Sequence, residues 1–164
     1  LIKNGHSKIG GIFKSDDMQG HKRFQGFSNE MKCQNLAIDD DSILWYTTED
    51  LKYFFDGGCD SMIVDRLKNC TAVVCYNDLV AVQLIEVLKR NGRTVPDDMS
   101  IVSFDNSSLA EKSLYNLTSV IYPSREIGSK AAEMLLQKIQ NPNFSATYKF
   151  GASLVKRNSI KNIK

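Results

Sequence analysis

The segment from Thr71 to Gly92, TAVVCYNDLVAVQLIEVLKRNG, constrains the fold more than any other. Its first part, TAVVCYN, is apolar along its length, as in a parallel strand covered by helices on both faces. A helix follows at once. DLVAVQLIEVLKRNG repeats apolar residues at helical spacing and ends at Gly92, with Lys89 and Arg90 where cations suit the end of a helix. Asn77 and Asp78 stand at the junction, and one of them is expected to cap the helix. Parallel neighbours cannot be joined by a tight turn and need a crossover, usually a helix. A strand running straight into a helix is therefore the repeating unit of a parallel sheet.

The same unit recurs along the chain. SKIGGIF reads as the first strand, followed by a polar loop from Lys14 to Gly20. HKRFQGFSNEMK then places Phe24, Phe27 and Met31 on one helical face. SILWYT is the second strand. A helical stretch begins after it with Thr47 and Asp50 as a capping box, and Gly57-Gly58 interrupts it. MSIVSFD is the fourth strand, Ser107 to Leu114 a short helix, and LTSVIYP a fifth strand. Ser124 is expected to cap a helix reaching Gln140, with Ile127, Ala131, Leu135 and Ile139 as its stripe. Asn141-Pro142-Asn143 stops it, and the last strand lies near FGASLVKR. Strand–helix alternation of this kind gives an α/β, doubly wound parallel sheet joined by right-handed crossovers.

In such a sheet, ligands bind beyond the carboxyl ends of the strands. That rule selects Lys14, Ser15, Asp16, Asp17 and Gln19 after the first strand, with Arg23 one turn into the next helix. It also selects Tyr76-Asn77-Asp78, Phe104-Asp105-Asn106 and Tyr122. These residues suit a polyol: carboxylates accept from hydroxyls, a guanidinium donates in a planar fork, and an amide does both. Tyr76, Phe104 and Tyr122 would offer apolar walls to the C–H face of a sugar ring. Ordinary structural roles stand beside these readings. Asp105 is as well placed to cap the short helix as to bind a ligand. Arg23, Asp16 and Asp17 would be ordinary solvated residues on most helices and loops. Trp45 reads as core, and His6 and His21 as surface.

Composition narrows the possible functions. The net charge is +2, and the densest basic cluster is the tail, Lys156, Arg157, Lys161 and Lys164. A nucleic-acid-binding face is normally denser, so any DNA-binding module is expected outside these residues. Cys33, Cys59, Cys70 and Cys75 form no CxxC pair, and free thiols of a reducing, cytoplasmic protein are expected. No apolar run approaches a membrane span, and no signal peptide is visible. There is no GxGxxG after a strand, no GxxxxGK[ST], no GxSxG and no HExxH. An enzyme is not expected, nor a metal site or cofactor. Leu1 is not a start methionine, and Leu1 to Gly5 reads as the last turn of a helix, so a fragment of a longer chain is expected.

Six segments, in this order, resemble the LacI/GalR repressor family: GHSKIGGIF, Arg23-Phe24-Gln25-Gly26-Phe27, TAVVCYND, VPDDMSIVSFDN, LTSVIYPSREIGSKAAEMLL and SLVKRNS. The loop FKSDDMQGHKRFQGF and the CYND junction further resemble the arabinose-responsive repressors of Gram-positive bacteria. The resemblance implies a regulatory domain built as a two-lobed clamshell, like the periplasmic sugar-binding proteins, with a small ligand in the cleft. It implies residues 1–118 as the C-terminal lobe, and 119–146 as a crossover plus a helix of an otherwise missing N-terminal lobe. Residues 147–164 are then the last strand of the C-terminal lobe and the tail. The family's effector-contacting positions fall on Arg23, Asn77, Asp105 and Tyr122, the last departing from the family's usual glutamine, with Lys14 and Asp16 where the first loop enters the cleft. The expected effector is a small sugar, L-arabinose first. The expected partners are operator DNA, through a domain absent from this chain, and a second copy.

Family dimers pair along helices of this lobe, which makes the stretches 79–91 and 107–114 the candidates. Val80, Ala81, Leu84, Ile85, Val87 and Leu88 lie on more than one face, so either a partner or the core takes the second face. The helix from Ser124 to Gln140, without its own lobe, is expected to pack against this lobe's surface or against another copy. A solute-binding protein for sugar uptake is the second reading, and a sugar-active or nucleotide-binding enzyme the third.

Overall fold

The computed structural model describes residues 1–112 and 116–164. Strands β1 (Ile9–Lys14), β2 (Ile43–Tyr46), β3 (Ala72–Cys75), β4 (Ser100–Asp105), β5 (Thr118–Ile121) and β6 (Leu154–Val155) form one sheet. Its order is β2-β1-β3-β4-β5-β6. The first five strands are parallel, and β6 joins β5 antiparallel. The expected doubly wound α/β sheet is thus present. The exception to parallel pairing is the last strand, which arrives from the opposite direction.

The strands alternate their side chains between two layers. Ile12, Val73, Cys75 and Ile101 face a core shared with helices α3 (Asp60–Arg66), α4 (Asp78–Arg90) and α5 (Ser108–Lys112). Ile9 and Ala72 face the other way, against Met31 and Phe27 of helix α1 (Met18–Cys33). β3 lies in the middle with helices on both sides, which is why its sequence is apolar along its length. The capping box forms: Asp50 accepts from the Thr47 amide at 3.1 Å, and Thr47 Oγ1 accepts from the Asp50 amide at 3.1 Å. Helix α2 (Leu51–Phe54) follows it, and Gly57, with φ +110°, separates α2 from α3.

Some sequence expectations give way. Trp45 is 37% exposed, because β2 is the edge strand and only the Phe13 and Phe24 side is covered. His6 is buried, its ring held between Thr71 Oγ1 and the Lys161 carbonyl. Ser124 is the first residue of helix α6 (Ser124–Gln140), and no side chain caps that helix. In α4 the residues Val80, Ala81, Leu84, Ile85, Val87 and Leu88 are all core, leaving Leu79 as the exposed large apolar residue of that helix. The short helix expected over 107–114 is present as α5, while Ser113 and Leu114 lie outside the described residues.

Helix α6 buries no residue, and Leu135, Leu136 and Ile139 stand exposed. Packing of its stripe against the surface of the sheet and its helices is therefore not found among the described residues. The physical reason is topological. α6 connects β5 to an antiparallel neighbour, and such a pair needs no crossover laid over the sheet.

Candidate functional site

The strand order reverses direction between β1 and β3, since the chain moves from β1 outward to β2 and then back across β1 to β3. At such a switch point the loops after the two strands splay apart and leave a crevice. The polar residues selected from the sequence gather along this carboxyl edge.

Arg23 is the centre of the group. Helix α1 starts at Met18 because Asp17 caps it, accepting from the Gly20 amide at 2.6 Å. One turn later Arg23 reaches across the crevice. Its guanidinium donates to the Tyr76 carbonyl, to Gln19 Oε1 at 3.2 Å and to Asp105 Oδ1 at 2.9 Å. It lies between two rings, 4.6 Å from the Tyr76 centroid and 4.7 Å from that of Phe104. Tyr76 and Phe104 therefore each turn a ring face to the guanidinium. A planar cation held by flanking rings and a carboxylate is fixed in orientation at little entropic cost.

Asp105 ends β4 with φ +98°, and Asn106 follows with φ +48°. Asp105 pairs with Arg23 at 2.9 Å, and its side chain makes no hydrogen bond to α5 among the described residues. Burial raises its pKa above the ordinary carboxylate value, and the Arg23 charge offsets only part of that rise. Asn77 caps α4, accepting from the Val80 amide at 3.0 Å. Its side-chain amide makes no hydrogen bond among the described residues and stands next to Tyr76.

Lys14 and Asp16 sit at the end of β1. Lys14 Nζ is 3.6 Å from Asp16 and 3.3 Å from Asp17. Asp16 accepts from the Thr48 amide at 2.9 Å, and the Thr48 contacts hold its carboxyl below the ordinary value. Asp17 also takes the Tyr76 hydroxyl at 2.6 Å. Burial would raise the Asp17 pKa, but the bonds from Tyr76, Gly20 and Lys14 together bring it below the ordinary value. Burial and the neighbouring Asp17 carboxylate push the Tyr76 phenol up to about 12. Tyr122 stands apart from this network: it is 46% exposed, with its backbone amide donating to the Asp105 carbonyl.

An apolar hollow of about 850 Å³ lies on the α1 side of the sheet, lined by Ile9, Phe27, Met31, Val74, Val102 and Leu154 and bordered by Arg23. Its walls are mainly hydrocarbon. The convergent hydrogen-bonding groups that orient a polar ligand are at the carboxyl edge instead.

Sequence reasoning assigned Asp78 only a possible cap. The structure shows a buried carboxylate, 1% exposed, that accepts from Ser103 Oγ at 2.5 Å, Ser119 Oγ at 2.7 Å and the Ser107 amide at 2.6 Å. Ser119 Oγ in turn accepts from the Asn106 amide at 3.0 Å. The available signal was a carboxylate directly behind an apolar strand, with serines inside the two strands beyond it.

A parallel sheet with a polar crevice at its switch point is the build of a ligand-binding α/β domain in general. Comparison with known proteins agrees. Residues 1–160 match the model of the periplasmic binding protein-like domain. The chain is 37% identical over 99% of its length to the arabinose metabolism transcriptional repressor of Geobacillus stearothermophilus, covering 46% of that relative. It is 33% identical to the HTH-type transcriptional repressor PurR of Vibrio campbellii, covering 99% of this chain and 48% of the relative. A LacI family transcriptional regulator from Enterococcus faecium, solved with bound ribose, superposes with a TM-score of 0.83 at 25% identity, covering 100% of this chain and 60% of that one. The chain belongs to the periplasmic binding protein-like family. These relatives are transcriptional repressors and not enzymes, in agreement with the sequence reading. The chain spans about half the length of the curated relatives it matches. Among the described residues no helix is long and apolar enough to cross a membrane.

Proposed function

We propose that this domain senses a small sugar, L-arabinose first among candidates, for a cytoplasmic repressor that releases operator DNA when the sugar binds. The observation that carries this reading is the Arg23 guanidinium, fixed between Tyr76 and Phe104 and paired with Asp105 at the switch-point crevice. Sugar hydroxyls would take the remaining acceptor capacity of Asp105 and the amide of Asn77, with Lys14, Asp16 and Tyr122 at the margin. Residues 1–118 are read as the C-terminal lobe, 119–146 as the crossover and helix of the opposing lobe, and 147–164 as last strand and tail. Operator contact is assigned to a domain outside this chain, and the working form to a homodimer. The exposed face of α6 supports an apposed lobe or a second copy, because three large apolar residues of that helix are in water. The repressor names of the relatives support this reading over sugar uptake or catalysis.

The test is a thermal-shift screen of pentoses and hexoses on the intact repressor. A ligand that binds only the folded state raises stability by about 2.7 kcal/mol at a hundredfold excess over Kd. L-arabinose is expected to raise the melting temperature and D-xylose to leave it unchanged. No shift with any sugar in the panel counts against the reading.

Asn77 carries two separable roles under this proposal. Asn77→Ala should cost about 0.5–2 kcal/mol of stability, because the Val80 amide loses its cap. Asn77→Asp keeps the capping oxygen and should stay within a few tenths of a kcal/mol of wild type. It also removes the amide donor, so its sugar affinity should fall while its urea midpoint does not. Equal sugar affinity in Asn77→Asp and wild type would remove Asn77 from the site.

A further inference from the structure

We infer that Asp78 is a positioning residue for the binding crevice: through Ser119 and Ser107 it fixes the left-handed turn that aims Asp105 at Arg23. The inference rests on the site reading above. Asp105 and Asn106 are both non-glycine residues at positive φ, a backbone conformation that persists only where the surroundings impose it. Two consecutive backbone amides of this turn are held from the buried side. The Ser107 amide donates to Asp78 Oδ2 at 2.6 Å. The Asn106 amide donates to Ser119 Oγ at 3.0 Å, and Ser119 Oγ donates onward to Asp78 Oδ1 at 2.7 Å. Ser103 supplies a third donor to the same oxygen at 2.5 Å.

A carboxylate suits this position for a chemical reason. All three neighbours point hydrogens at it, and an ionised carboxylate is acceptor-only with room for several donors. No lysine or arginine pairs with Asp78 among the described residues, so hydrogen bonds and the start of α4 balance its charge. On the solvent side Arg157 donates to Asn106 Oδ1 at 2.8 Å and to the Leu117 carbonyl at 2.7 Å, closing the turn from the other flank. Asp78 makes no hydrogen bond to Arg23 or Asp105 among the described residues. It reaches the pair through the direction given to Asp105 and, in smaller part, through its charge, which helps to raise the Asp105 pKa; Ser119→Ala changes the first and keeps the second.

Asp78→Asn preserves shape but places an NH₂ against one of these donors. Ser119→Ala leaves the carboxylate and removes the link to Asn106. Ser159→Ala is the control: its hydroxyl is equally buried in the sheet, bonded to the Ile101 carbonyl and the Thr118 amide, and does not touch the turn. The measurement is exchange of the Arg23 guanidinium protons by ¹⁵N NMR on the 164-residue chain without ligand, alongside melting temperature. Exchange at least about tenfold faster in Asp78→Asn and Ser119→Ala, and unchanged in Ser159→Ala, is expected from loss of the protecting ion pair. If Asp78→Asn does not fold, Ser119→Ala decides the matter. Arg23 exchange that stays at the wild-type rate, or that follows melting temperature equally across all three variants, overturns the inference. A titration with L-arabinose on the intact repressor separates the two proposals: normal Arg23 protection without any sugar binding defeats the sugar reading and leaves the positioning role standing.

Discussion

Arg23→Ala is expected to abolish the sugar response while leaving operator binding within about twofold of wild type. Truncating one partner of a buried, hydrogen-bonded charge pair costs about 2–5 kcal/mol, which corresponds to roughly 30- to 5000-fold in Kd. The lower part of that range applies to the ion pair itself, since the Asp105 side chain is 35% exposed, and the other losses add to it. The alanine removes the ligand's oriented donors, leaves Asp105 partly buried without its cation, and empties the space between the Tyr76 and Phe104 rings. Arg23→Lys should fall between, since an ammonium keeps the charge but not the planar fork. The global fold should survive both changes. Arg23 lies at the edge of the sheet, and the core against α3 and α4 does not include it. The check is sugar-dependent release of labelled operator DNA, with circular dichroism as the folding control. An Arg23→Ala repressor that releases DNA at the normal sugar concentration would refute the site assignment.

That site was legible in the sequence to the extent that strand order was. Arg23 and Asp105 are separated by eighty-two positions, and no local pattern relates them. The rule that ligands collect beyond the strands' carboxyl ends placed both at one edge once the parallel alternation was recognised. It could not say that Arg23 would lie between Tyr76 and Phe104, because the path of a long side chain depends on which loops flank it. Nor could it show that Asp105 adopts a left-handed backbone, which depends on the acceptors that Ser119 and Asp78 offer to the Asn106 and Ser107 amides. Helical periodicity in α4 correctly marked apolar faces but not what covers them. Six of those residues proved to be core, because the sheet and the neighbouring helices consume more than one face. His6 and Trp45 failed in opposite directions for the same reason. Burial depends on the chain brought alongside, here the C-terminal tail for His6 and open solvent beyond the edge strand for Trp45.

Helix α1 offers a second large effect, from the smallest possible substitution made at two glycines. A Cβ on Gly20 would lie 1.9 Å from the Lys14 carbonyl oxygen and 2.8 Å from its carbon. Both are backbone atoms at the end of β1, and no rotamer change can relieve the clash. Gly20→Ala is therefore expected to cost at least the roughly 1–3 kcal/mol typical of overpacking. For a chain of this length that lowers the melting temperature by about 2–12 °C. Gly26 lies in the same helix with no atom within 4 Å of an added Cβ, and it is exposed. Alanine there gains helix propensity and restricts the unfolded chain, so Gly26→Ala should stabilise by about 0.4–1 kcal/mol. The pair thus predicts opposite signs for one chemical change, six residues apart on one helix. The functional consequence follows from the direction of the clash. To relieve it, the first turn of α1 must move away from β1, and Arg23, three residues further on, moves with it. Gly20→Ala should then weaken the Arg23–Asp105 pair and the sugar response together, whereas Gly26→Ala raises stability and leaves the response intact. Thermal melts and a sugar titration on both variants decide it: equal sugar affinity in a destabilised Gly20→Ala protein would show that the crevice does not depend on how closely α1 approaches β1.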